Sequence, residues 1–225
     1  MDQNNHNREI LDRILKAVEK DRGTRWVETV STVLLSLAAV VTSWCIYEAT
    51  QWSGEQYFRI EDVNLADRQR MGMHMQANQK RLLHVNMFMN FAEAYTEENR
   101  QLADFLRDRF PPELKTAAIA WKATDPLNNP SAPRSPFEMK EYVLPEDLQA
   151  KKYAEQAEVF HQAASEADGN ADNYVLMTIF LAVVLFLSGL AGVIDSYLQQ
   201  KILLSLATGI FLVTIVSLLR LPVLL

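Results

Sequence analysis

Three stretches of the chain contain no charged residue, and they constrain its fold more than any other feature. They run from Thr29 to Tyr47, from Tyr174 to Ile194 and from Ile202 to Leu219. Each is about 18–21 residues long, enough for a helix rising 1.5 Å per residue to cross about 30 Å of hydrocarbon. Core helices of soluble proteins keep a polar stripe, which these stretches lack. The sequence therefore predicts an all-α integral membrane protein with three transmembrane helices.

The first stretch differs from a cleavable signal peptide. It is longer than the usual apolar core of such a peptide and ends in bulky residues, from Trp44 to Tyr47, where cleavage requires small ones. We therefore expect an anchor that stays in the mature protein. Cys45 is the single cysteine, which excludes an internal disulfide.

The distribution of basic residues predicts the orientation in the membrane. Six Lys or Arg residues precede the first span, and none follows it until Arg59. The segment 154–173, which leads into the second span, contains acidic residues but no basic one, and Lys201 lies between the second and third spans. Because basic residues favour the cytoplasmic side, we expect a cytoplasmic N-terminus, with the segment between spans one and two outside the cytoplasm.

This orientation divides the chain into segments with an extracytoplasmic helical hairpin domain between spans one and two. The predicted segments are a cytoplasmic amphipathic helix (1–26), the first transmembrane helix (27–49), the extracytoplasmic domain (50–173) with a proline-rich arm (124–145), the second transmembrane helix (174–194), a cytoplasmic turn (195–201), the third transmembrane helix (202–221) and a tail (222–225). Residues expected to anchor the spans at the membrane interfaces are Trp26, Trp44, Tyr47, Trp52 and Arg220.

The extracytoplasmic segment begins with a long region of helical pattern. A capping box at Ser53 and Gln56 predicts a new helix start, or a kink at Gly54, and helix then extends to Phe110. Two apolar sides follow helical spacing: one contains Met71, Met75, Asn78, Leu82, Val85 and Met89, and the other contains Met73, Ala77, His84, Phe88, Phe91 and Tyr95. We expect one side to face the chain's own returning helix and the other a neighbouring subunit, in a homo-oligomer.

Prolines mark the remainder of this segment. The sequence predicts a short helix in PELKTAAIAWKA, an irregular arm, and a helix that starts at Pro145 and ends near Ala167, with Gly169 and Asn170 breaking it before span two.

The stretch RMGMHMQ, from Arg70 to Gln76, raises the question of a metal site. Thioethers suit copper(I), and Met71, His74 and Met75 are the candidate ligands. On a helix, however, Met73 lies about 160° from Met71 and Met75, so the three thioethers do not converge. We interpret these methionines as packing residues of a helix interface.

The search for catalytic and nucleic-acid-binding motifs returns none. The chain lacks a phosphate-binding glycine loop, a zinc motif and a nucleophile elbow, so we expect no enzyme and no cofactor. The net charge of −6 argues against nucleic acid. Glu48 and Asp195, at the ends of spans one and two, are the candidates for an ion pathway, with solvated helix ends as the alternative.

Small residues four positions apart favour close approach of membrane helices. The candidates for helix association are Ser36, Ser43, Ser188, Gly192, Ser205 and Gly209. They point to association within and between subunits, surrounded by membrane lipids.

Two segments carry a resemblance to a known group of proteins. SLAAVVTSWCIYEATQWSGEQ resembles the first span and exit of bacterial three-span membrane proteins of unassigned function, and the arm DPLNNPSAPRSPFEMKEY is similar to their later half. The resemblance implies a bacterial envelope location and no activity.

Three functional hypotheses follow from the sequence. The first is a non-catalytic, oligomeric envelope protein whose external helices scaffold or recognise an envelope protein partner. The second is an oligomeric ion channel, with span one lining the pore and Glu48 at its outer mouth. The third is an extracytoplasmic copper-binding module at Met71–Met75.

Overall fold

The computed structural model describes the backbone of residues 3–194 and 196–224 and the side chains of residues 26–194 and 196–224. The chain is 83% helical, and its described part contains no strand, which confirms the predicted all-α class. The elements are α1 (Gln3–Thr96), α2 (Arg100–Asp108), α3 (Pro112–Ala123), a 3-10 turn (Pro136–Glu138), α4 (Pro145–Ala191) and α5 (Tyr197–Leu218). The side chains of residues 1–25, all but the last position of the predicted amphipathic helix (1–26), lie outside the described residues.

Three helices are long and apolar enough to cross a membrane. They are the described part of α1 from Trp26 onward, α4 and α5. α1 contains the first uncharged stretch, and α4 and α5 contain all but the last residues of the second and third. The prediction of three helices able to span a membrane is confirmed.

The predicted helix start at Ser53 is wrong, and the alternative of a kink at Gly54 stays a prediction. α1 continues through Ser53 and Gly54 without interruption, so Ser53 does not cap a helix. A glycine inside a helix costs only about 1 kcal/mol relative to alanine. Helix-forming residues on both sides offset this cost, and the chain has no proline here to remove a hydrogen bond.

α1 ends earlier than predicted, at Thr96. Glu98 has a φ angle of 59°, in the left-handed region, and this conformation stops the helix. The Asn99 side chain accepts a hydrogen bond from the backbone N–H of Leu102 at 3.2 Å and thereby caps α2. The prediction of continuous helix to Phe110 is wrong because a non-glycine residue makes the turn.

α3 and the arm agree with the sequence pattern, but the end of α4 does not. α3 begins at Pro112, and between α3 and α4 only Pro136–Glu138 forms a helical turn. α4 starts at Pro145 as predicted and then passes through Gly169 and Asn170 without a break. The predicted end near Ala167 is therefore wrong. Buried alanines on both sides of Gly169 pack the helix and offset the cost of the glycine.

The chain forms two compact units. The first, here called the membrane unit, comprises Met1–Phe58 and Ala163–Leu225, and the second, the middle unit, comprises Arg59–Gln162. These limits lie about nine to eleven residues inside the predicted extracytoplasmic segment 50–173.

The membrane unit buries one heptad-spaced side of α1 against α4 and α5. The buried residues of α1 that follow this spacing are Val27, Ser31, Leu34, Ala38, Cys45 and Glu48. They share a core with Leu181 and Val184 of α4 and with Leu204 and Ala207 of α5. The Ser31 hydroxyl donates to the backbone carbonyl of Ser188, which ties α1 to α4 inside this core.

Candidate functional site

An ionic clamp joins α1 to the start of α4 in the middle unit. The Lys80 ammonium pairs with Glu146, and the Arg81 guanidinium donates to Asp147 at 2.8 Å. His74 also lies 3.9 Å from Asp147. The two neighbouring carboxylates at the start of α4 are thus met by three side chains of α1. The clamp holds the pKa of Glu146 below its usual value, chiefly through the hydrogen bond from Lys80.

Next to this clamp, aromatic rings fix the proline-rich arm on α1. The Phe88 ring centroid lies 5.5 Å from Trp121 of α3 and 5.9 Å from Phe137 of the arm, both edge to face. Phe137 in turn contacts Tyr142 at 5.1 Å. The Trp121 indole N–H donates to the carbonyl of Pro133 at 2.7 Å. Edge-to-face pairs stabilise beyond their buried area, so this aromatic cluster determines which side of α1 the chain covers.

His84 lies in the same interface and is 2% exposed. Its Nδ1 and the Tyr142 hydroxyl share a hydrogen bond of 3.0 Å. Burial lowers the pKa of His84 from its ordinary value, Lys80 lowers it further, and Glu113 and Glu146 oppose this change. Burial also raises the pKa of Tyr142, which keeps its hydroxyl protonated.

Acidification should destabilise the middle unit through His84. Its folded-state pKa lies below the unfolded value of about 6.5, so the unfolded chain binds a proton that the folded chain excludes. The free energy of unfolding should thus decrease as the pH is lowered from 8 to 5, a range in which Glu146 remains ionised. Thermal unfolding measured across this range should show a smaller slope for His84→Gln, whereas the exposed control His161→Gln should keep it. A slope that His84→Gln leaves unchanged would refute this assignment.

The opposite side of α1 is uncovered. We call Met71, Met75, Asn78, Leu82, Val85 and Met89 the outward stripe. Its four largest apolar side chains, those of Met71, Met75, Leu82 and Met89, are each at least 62% exposed. On the other side of the helix, the exposed fractions of Ala77 and His84 are 0% and 2%. The spacing of four and three residues places the stripe along one line of the helix. Of the two predicted apolar sides, the second is the one that the chain covers, apart from Tyr95, which is 57% exposed.

The chemistry of the outward stripe suits protein contact. Methionine is unbranched and polarisable, and it adapts to irregular partners. The stripe carries no charge, and its polar member, Asn78, accepts a hydrogen bond from Arg81 at 2.7 Å. Exposed apolar surface arranged in this way marks an interaction site.

The three thioethers of the Met71–Met75 stretch do not converge, although Met71, His74 and Met75 share one side of the helix. Met71 and Met75 lie on the outward stripe, Met73 is half-buried on another side, and the helix is unbroken at Gly72. Among the described residues, no three His, Cys, Asp or Glu side chains are grouped to hold a metal ion. Met71 and Met75 are exposed in the single chain, so the interpretation of these methionines as packing residues of a helix interface stays a prediction.

Glu48 lies inside the membrane unit, and Asp195 is outside the described residues. Glu48 is 0% exposed, and its Oε2 accepts a hydrogen bond from the backbone N–H of Leu224 at 3.1 Å. The carbonyl of Pro222 accepts from the Trp52 indole at 3.2 Å and from the Tyr174 hydroxyl at 3.1 Å. These three bonds hold the segment after α5 against α1 and α4. The solvated-end alternative for Glu48 is therefore wrong.

Removing the Glu48 acceptor should destabilise the membrane unit. In Glu48→Leu the Leu224 N–H loses its partner in a part-buried site, at a cost of about 1 kcal/mol. Glu48→Gln retains an acceptor oxygen and should therefore lose less stability than Glu48→Leu. Thermal unfolding in detergent compares the two variants, and a glutamine variant as unstable as the leucine variant would contradict this role for the hydrogen bond.

Only one of the six predicted helix-association residues lies in a packed interface of this chain. Ser188 is 0% exposed, while the other five, Ser36, Ser43, Gly192, Ser205 and Gly209, are exposed. The hydroxyls of Ser36 and Ser43 donate to carbonyls four residues earlier in α1.

Four of the five predicted interface anchors are exposed on the single chain, and their position in a membrane stays a prediction. Trp26, Trp44 and Tyr47 are 62%, 46% and 52% exposed on α1, and Arg220 is exposed after α5. Trp52 instead bonds to Pro222 and is half-buried.

The sequence reasoning missed the clamp, the aromatic cluster and the Glu48 contact. The dipeptides Lys80–Arg81 and Glu146–Asp147 carried a signal, since adjacent like charges on two helices can pair. Nothing comparable indicated the Glu48 contact, which joins residues 176 positions apart.

No protein-family model matches the sequence, and comparison with curated proteins and with solved structures finds no significant match either. The resemblance to bacterial three-span proteins stays a prediction. The structure itself defines the class: this is a helical, multi-pass membrane protein with three helices able to cross a bilayer.

Proposed function

We propose that this protein is a non-catalytic, oligomeric scaffold of a bacterial inner membrane, which assembles through the middle unit and recognises an envelope protein partner. In this proposal the N-terminus is cytoplasmic and residues 50–173 are extracytoplasmic. The observation that carries the proposal is the outward stripe, an uncharged apolar line on a helix whose other side is packed.

The exposed area of the stripe favours burial against another molecule. Met71, Met75, Leu82 and Met89 are 62–67% exposed, although each is an apolar residue outside the uncharged spans. Burying a side chain of this size stabilises an interface by about 1.5–3 kcal/mol. Several such residues at heptad spacing are typical of a helix that packs against a second helix.

A second copy of the chain is the occupant that we propose for the stripe. Copies inserted in one membrane with the same orientation place their α1 helices parallel, and a two-fold axis then brings identical positions together. Asn78 would meet its own copy across this axis, and a polar pair of this kind fixes register in parallel coiled coils. The stripe carries no charge, and the guanidinium nearest to it, that of Arg81 on Asn78, pairs with Asp147 of the same chain.

The ion-channel alternative receives no support from the position of Glu48. A pore between copies requires carboxylates on an outer side of the bundle, and Glu48 is 0% exposed within one chain. The channel and the copper module both stay predictions.

Co-purification of two tagged versions of the chain tests the assembly. When both are expressed together and extracted in mild detergent, capture of one tag should recover the other. Mixing the two after separate expression provides the control for aggregation. Absence of the second tag under several mild detergents would refute the oligomeric scaffold.

A further inference from the structure

The membrane unit contains an apolar groove of about 480 Å³ beside the end of α5. Its walls come from α1 at Val40, Val41 and Trp44, from Tyr174 of α4, and from the end of α5 and the segment that follows, including Leu218 and Leu221. The volume lies in the range of small-molecule sites, about 300–1,000 Å³.

The groove offers an occupant almost nothing to hydrogen-bond. Apart from Trp44 and Tyr174, its nine lining residues are aliphatic. The Tyr174 hydroxyl already donates to the carbonyl of Pro222 at 3.1 Å. The groove is open at its side, and the helices that form it are the membrane-crossing ones. An alkyl chain from the surrounding bilayer matches this lining.

A cationic residue lies in the sequence between two residues that line the groove. Arg220 separates the lining residues Leu219 and Leu221, it is exposed, and no carboxylate in the described part of the chain pairs with it. Arginine binds phosphate through charge-assisted, bidentate hydrogen bonds. Near a membrane surface, each such cation adds about 1 kcal/mol of attraction to anionic lipid.

We propose that this groove is a lipid site, which holds one acyl chain of an anionic phospholipid while Arg220 pairs with its phosphate. A second copy of the protein is a poorer occupant. A two-fold contact through the groove would bring the two Arg220 side chains together, and their like charges would oppose it. The inference depends only on the membrane class and is independent of the proposed assembly.

Native mass spectrometry of the full chain tests this site with added phosphatidylglycerol and phosphatidylcholine of identical acyl chains. We expect one retained phosphatidylglycerol per chain and about a tenfold preference over phosphatidylcholine. Arg220→Gln changes an exposed residue and should abolish that preference. An unchanged preference in Arg220→Gln would overturn the role of the arginine.

The groove itself is tested by filling it. Val40→Trp, at a lining position that is 69% exposed, should weaken binding of both lipids about tenfold. Val33→Trp is the matched control, because Val33 is 53% exposed on the same helix and does not line the groove. Equal lipid binding by the two tryptophan variants would overturn the site. Disulfide cross-linking between copies through Val40→Cys would also overturn the lipid site, because it would show that a second copy occupies the groove.

Discussion

Replacing Leu82 and Met89 together with glutamine should weaken association between copies at least a hundredfold. Both side chains are more than 60% exposed in the outward stripe and would be buried in the proposed contact. Losing four apolar side chains from a dimer removes several kcal/mol, at about 1.5–3 kcal/mol each. A hundredfold change in the dissociation constant corresponds to only about 2.7 kcal/mol. The expected loss exceeds this value even if neighbouring side chains repack and recover part of it. Equilibrium sedimentation in detergent measures the change.

The chain provides a matched control for this experiment. Leu65 and Leu83 are 49% and 55% exposed on α1 but lie about 100–120° away from the stripe. The double variant Leu65→Gln with Leu83→Gln should therefore associate like the unmodified chain. If both double variants dissociate equally, general surface hydrophobicity drives association and the stripe is not the contact.

Truncating Phe88 to alanine should detach the proline-rich arm from α1. The Phe88 ring contacts Phe91, Trp121 and Phe137, so its removal leaves a cavity shared by three elements. Phenylalanine-to-alanine changes in cores cost about 3–5 kcal/mol, and the partial exposure of Phe88 places it near the lower limit. Trypsin cleavage after Arg134, in the arm, should accelerate by at least tenfold because cleavage requires the arm to open.

Leu127→Ala is the control for the arm. Leu127 is 83% exposed, so its truncation should change stability by less than about 0.5 kcal/mol and leave the cleavage rate unaltered. An arm that stays equally resistant in Phe88→Ala would show that the aromatic cluster does not hold it.

The elements that depend on local physics were predictable from the sequence. Uncharged stretches long enough to cross a bilayer predicted the spans, and Pro112 and Pro145 marked helix starts through their fixed φ angle. Breaks in the helices were harder to predict, because a residue that disfavours helix is tolerated where packing around it offsets the cost. Gly54 and Gly169 are tolerated inside packed helices, whereas Glu98 adopts a left-handed conformation that no glycine signals.

The candidate site was predictable only in part. The 3.5-residue spacing predicted two apolar sides on α1, but it does not distinguish the side that the chain covers. The path of the arm makes that distinction by bringing Trp121 and Phe137 onto Phe88. That path is set by contacts distant in sequence, which periodicity does not contain. The burial of Glu48 against Leu224 depends on such a contact as well.

Disulfide trapping along α1 tests the central claim most directly. Single cysteines are placed at Leu82, in the outward stripe, and at Leu83, beside it, in a chain whose buried Cys45 is replaced by alanine. A disulfide requires Cα atoms about 4.4–6.8 Å apart, so only positions that face each other across the contact can form it. The account predicts covalent dimers in membranes for Leu82→Cys and few for Leu83→Cys. Dimers that form equally at both positions, or at neither, would contradict it.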